Sequence, residues 1–73
     1  MTIFSERLKN LRIENGYKQK KVAFDLGVSQ CAVSRWESGF REPSLDKLVE
    51  IARYYHVACA FLIGQTDIKN IPV

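Results

Sequence analysis

No stretch of the chain approaches the roughly 20 consecutive apolar residues that a membrane span needs. The N-terminus carries no apolar segment of the signal-peptide kind, so a cytoplasmic setting is expected. Cysteine is scarce: Cys31 and Cys59 are the two present. They do not form a disulfide framework, and free thiols are expected. Histidine occurs once, at His56, three positions before Cys59. A structural zinc normally takes four ligands, and no second pair completes such a set. No metal and no cofactor is therefore expected, and His56 is read as packing at the end of a helix. A glycine-rich phosphate loop, paired carboxylates and a nucleophile with its base are all missing too, which argues against an enzyme.

What is present suits one small domain. The 73 residues are 47% hydrophobic and 26% charged, ordinary values for a globular fold. A chain this short buries only about 60% of the surface its unfolded form exposes. Residues 1–73 read as a single unit, with a core over 4–64 and a short tail over 65–73. The net charge of +3 is mild, but its placement is uneven. Lys18, Lys20, Lys21, Arg35 and Arg41 fall within one stretch, against Asp25, Glu37 and the adjacent Glu42. That clustering suits a polyanionic partner, and equally a solvated charged face.

The fold class is all-α, with five short helices. The first covers roughly 4–15, with Phe4, Leu8 and Leu11 at helical spacing and Asn15-Gly16 as its stop. A second, near 18–26, turns Val22, Ala23 and Leu26 to one face and ends at Gly27. Ser29 caps a third over about 30–38, closed by Gly39, and Ser44 caps a fourth. Leu45, Leu48, Ile51, Ala52 and Tyr55 form the fourth helix's inward stripe. A fifth, near 58–63, closes at Gly64.

The third helix faces outward. At about 100° per residue, Val33 and Trp36 fall together on one side, while Gln30, Cys31, Ser34 and Arg35 fall on the other. The outer side offers an amide, a thiol, a hydroxyl and a guanidinium. Gln pairs bidentately with adenine and Arg with guanine in the major groove of double-stranded DNA. A short turn at Gly27-Val28-Ser29 joins the second and third helices in helix-turn-helix fashion. Val28 plugs the angle between them, and Ala23 is small where they approach. Trp36 and the tyrosines Tyr17, Tyr54 and Tyr55 are assigned to packing rather than to base stacking.

The residues Arg7-Leu8-Lys9-Asn10-Leu11-Arg12, Gln19 with Val22-Ala23, and Leu26-Gly27-Val28-Ser29 resemble the Cro and phage-repressor type of helix-turn-helix. Val33 to Gly39, Arg41-x-Pro43-Ser44 and Leu62-Ile63-Gly64 continue the likeness. It implies a compact five-helix bundle of the lambda-repressor-like DNA-binding type, with the motif formed by helices two and three. It implies base contacts from Gln30, Cys31, Ser34 and Arg35, and phosphate contacts from Lys18, Gln19, Ser38 and Arg41. Gln19 would also brace Gln30, and Arg12 with Glu37 would form a structural ion pair. The likeness further implies a transcriptional regulator, by default a repressor, bound to a palindromic operator as a homodimer.

Three positions depart from the family pattern. Phe24 stands where a charged residue is usual, which leaves room for a contact with RNA polymerase. Ala58 replaces a Ser cap, and Ala60-Phe61 replaces an acidic pair. The last helix is apolar almost all round, so something must cover it. Two covers are open: a second copy, burying Ala60 and Phe61 with Ile68 and Ile71, or the chain's own tail. The rival function is a protein-interaction module of the antitoxin kind built on the same fold.

Overall fold

The computed structural model describes residues 2–69, and Ile71 lies outside them. Five helices occur there: α1 (Ile3–Glu14), α2 (Gln19–Leu26), α3 (Gln30–Ser38), α4 (Leu45–Tyr54) and α5 (Cys59–Leu62). The described residues contain no strand. Helix ends agree with the sequence reading to within about two residues, α5 being shorter than expected.

Side-chain caps set the starts of α1, α3 and α4. Ser29 Oγ accepts from Ala32 N at 3.1 Å and Ser44 Oγ from Lys47 N at 3.3 Å. The sequence reading missed Thr2, whose Oγ1 accepts from Ser5 N while its own N–H donates to Ser5 Oγ. Such a reciprocal pair satisfies donors that a helix N-terminus otherwise leaves free.

All five stops share one geometry. The residue that closes each helix has positive φ, and the next N–H reaches back five residues, as Val28 N does to Ala23 O at 2.9 Å. This bond satisfies a carbonyl that the helix ladder leaves over. At Gly27, φ is 70°, a conformation that costs a side-chain-bearing residue about 1–2 kcal/mol. Gly64 has a second reason: a Cβ there would meet Ile3 Cγ2 at 2.9 Å. The exception is α4, whose closing residue is His56 with φ 56°. His56 is exposed, which corrects its expected packing role. Its task is to turn the chain.

Phe4, Leu8, Leu11, Val22, Leu26, Val33, Trp36, Ile51 and Leu62 form one core reached from every helix. Val28 packs against it from the turn, and Ala23 is buried between helices. Tyr17, Tyr54 and Tyr55 gather at one edge, with ring centroids 4.9 to 6.4 Å apart. Leu45 is a correction: it is 75% exposed rather than inward. As the first residue of α4 it sits about 70° from the centre of the stripe formed by the other four, beyond the edge of the core.

Of the two covers open for Phe61, the chain's own tail is the one found among the described residues. The Phe61 side chain is 9% exposed, covered by the Arg7 guanidinium 4.2 Å from the ring centroid. Arg7 additionally donates to the carbonyls of Phe61 and Thr66 and pairs with Asp67. Residues 65–69 thus fold back over α5, where Lys69 O accepts from Ala58 N at 2.9 Å. The tail thus ties down the N-cap residue of α5, which has no side-chain cap. Ala60 is half-buried and Ile68 is exposed.

Candidate nucleic-acid interface

The core dictates which side of α3 is free. Val33 is fully buried and Trp36 nearly so, which fixes the rotation of the helix about its axis. Gln30, Cys31, Ser34 and Arg35 are then all exposed, on one continuous face. Their polar ends are therefore available to a groove that admits an α-helix.

Beneath that face lies a buried ion pair. Arg12 Nε donates to Glu37 Oε2 at 2.7 Å and Nη2 to Oε1 at 3.1 Å, with the Glu37 side chain only 4% exposed. Arg12 also donates to Tyr17 O at 3.0 Å, so α1, the α1–α2 loop and α3 meet at one guanidinium. The Glu37 hydrogen bond pushes the Arg12 pKa up and keeps it charged. Tyr55 has a buried hydroxyl with no hydrogen-bond partner. Burial, and next the negative charge of Glu37, push its pKa up, so it remains neutral.

Around α3 stand the four residues expected at phosphates. Lys18 is exposed at the start of α2, with no side-chain cap. Gln19 is half-buried, and its Nε2 donates to Glu37 Oε1 at 3.3 Å. It braces Glu37, not Gln30 as the resemblance implied. Ser38 Oγ donates to Arg35 O at 3.1 Å. A phosphate oxygen needs a donor, so that hydroxyl must exchange its helix bond to reach one. Arg41 is exposed and borders a hollow with Ala32, Arg35, Trp36 and Glu42.

A second hollow is lined by Lys9, Arg12, Gln19, Ser34, Glu37 and Ser38. Lys9 was not among the expected site residues. Its spacing holds the missing signal: it precedes Arg12 by three positions, which places both on one face of α1. Arg7 was also passed over, because its partners are 54 to 60 positions away. Cys31 and Cys59 are free thiols. Among the described residues no three His, Cys, Asp or Glu side chains converge to hold a metal. No helix there is long and apolar enough to cross a membrane.

Two helices joined through a left-handed glycine, the second held by its apolar side with its polar side outward, make a helix-turn-helix protein. The chain belongs to the helix-turn-helix family, whose model matches residues 8–62. It is 32% identical over 65 residues to the HTH-type transcriptional regulator ImmR of Bacillus subtilis, covering 89% of this chain and 51% of that protein. The chain thus spans about half the length of that curated relative. A transcriptional regulator from Listeria innocua superposes with TM-score 0.80 at 34% identity, over 84% of this chain and 57% of that one. The P22 c2 repressor, in a crystal structure with a synthetic operator, superposes with TM-score 0.83 over 90% of this chain and 100% of its own. At 23% identity that likeness concerns the fold.

Proposed function

We propose that this chain is a sequence-reading DNA-binding transcriptional regulator of the cytoplasm, by default a repressor acting by occlusion. α3 enters the major groove, where Gln30 and Arg35 make bidentate contacts to bases, with Cys31 and Ser34 beside them. Lys18, Gln19, Ser38 and Arg41 hold the backbone on either side. The operator is an imperfect palindrome bound by two copies, with recognition helices about 34 Å apart. One observation carries this reading: the four side chains at 30, 31, 34 and 35 share a free face because Val33 and Trp36 are buried.

Selecting bound duplexes from a random pool tests it, since the enriched site reports sequence, symmetry and spacing together. Gln30→Ala then costs about 1–3 kcal/mol and relaxes preference at one base pair. An unchanged preference in Gln30→Ala removes the base-reading assignment.

A second reading has its own observation. Phe24 is 85% exposed on α2, which leaves its phenyl ring open to a partner. A protein partner such as RNA polymerase fits that ring, as would the target of an antitoxin-like module. Titration against random duplex separates the two: a module that grips only protein has no salt-dependent affinity for DNA.

A further inference from the structure

We propose that the hollow between α1 and α3 seats one backbone phosphate of the duplex, with the Lys9 ammonium as its main contact. The proposal rests on the DNA-binding reading above and adds a residue and a place to it.

The electrostatics of the hollow favour a single anion. Its one carboxylate, Glu37, has Oε2 bonded to Arg12 and Oε1 bonded to Arg12 and Gln19, so its charge is already answered. Arg12 and Glu37 cancel as a pair, which leaves Lys9 as the uncompensated charge on the lining. Lys9 is exposed, and among the described residues its side chain makes no hydrogen bond or ion pair. Arg7, Arg12, Lys21, Lys47 and Lys69 are each paired with an acid, whereas Lys9, like Lys18, Lys20, Arg35, Arg41 and Arg53, has no acidic partner among the described residues; of these, Lys9 alone lines this hollow. The remaining lining supplies neutral donors. A Gln amide carries two N–H bonds, and Gln19 gives one to Glu37, leaving the second for the hollow.

Position gives the hollow its consequence. Ser34 and Ser38, one turn apart on α3, form its far wall. An anion seated there lies against the same helix that presents Gln30 and Arg35. Phosphate contacts carry no sequence information but set register and depth. Lys9 therefore fixes how far α3 enters the groove from the α1 side, while Arg41 acts from the other side of the helix.

Binding of a labelled mixed-sequence duplex, followed by anisotropy across a potassium chloride series, tests this. The native chain is compared with Lys9→Ala, Lys9→Arg and Arg53→Ala. Arg53 is exposed on α4 and serves as the loss of a positive charge elsewhere. Lys9→Ala is expected to lower the salt slope by about 0.9, and affinity should drop several-fold for selected and random duplexes alike. Lys9→Arg restores the slope, and Arg53→Ala changes it by less than half as much. A slope in Lys9→Ala equal to that of the native chain or of Arg53→Ala overturns the proposal and leaves the DNA reading standing. A native chain with no salt-dependent affinity overturns both.

Discussion

Two buried polar groups at residue scale have opposite energetic character. Glu37 is hydrogen-bonded through both oxygens, so removing it strands the Arg12 guanidinium, 16% exposed, against the core. Breaking one side of a buried pair typically costs about 3–5 kcal/mol. Glu37→Ala should therefore lose stability on that scale in urea unfolding, and it should also free Gln19. Tyr55 is the reverse case, because its hydroxyl is desolvated and unpaired. Deleting an unsatisfied group removes a cost, so Tyr55→Phe is expected to gain up to about 1 kcal/mol in the same assay. A loss would mean that the hydroxyl has a bonding partner after all. The ion pair was legible through family likeness alone, since nothing in the spacing of positions 12 and 37 links them. Gln19 shows the limit of that route: its amide turns to the buried carboxylate in its own fold rather than to Gln30.

Helix ends were the most legible features at element scale, since Ser29, Ser44 and the glycines mark them with local chemistry. At the α4 stop it was the role of His56 that was misread, because a histidine in the left-handed region leaves no such mark. His56 holds the place that glycine holds at the other four helix ends. His56→Gly should relieve about 1 kcal/mol of backbone strain, partly offset by the freer unfolded chain. The expected net gain is a rise of a few degrees in melting temperature. The joint between α2 and α4 depends on acid instead. Asp25 accepts from Lys21 Nζ at 2.8 Å and from Tyr54 Oη at 2.5 Å. Those two bonds, Lys21 first, hold its carboxyl below the usual value. A depressed carboxyl stabilises the fold above its unfolded pKa, and that contribution fades as pH falls through the lower folded value. Urea midpoints of the native chain and Asp25→Asn should accordingly differ at neutral pH and converge below about pH 4. A gap that persists in acid would mean that the carboxylate's charge contributes nothing to the joint.

The whole molecule decides how two copies could meet. The apolar last helix was read correctly as needing a cover, but the choice between covers was not legible in local pattern. It turns on Arg7 and Lys69, which close over α5 from the two ends of the chain. With Phe61 enclosed, little of α5 is left for a partner beyond half-buried Ala60 and Cys59. The described residues span 32 × 23 × 21 Å. Two recognition helices on successive major grooves lie about 34 Å apart, so neighbouring copies meet at their edges. An edge contact that buries well under the roughly 800 Å² per partner of a standard interface does not hold two copies together by itself. We therefore expect the chain to sediment as a monomer without DNA and to bind a palindrome as two copies, each helping the other. Adding about five base pairs between half-sites turns the second copy to the opposite side of the duplex. Cooperativity should then vanish while affinity for each half-site is unchanged. Cooperativity that survives the insertion would point to contact through the DNA or through some longer-reaching part of the protein, and the edge-to-edge arrangement would be wrong.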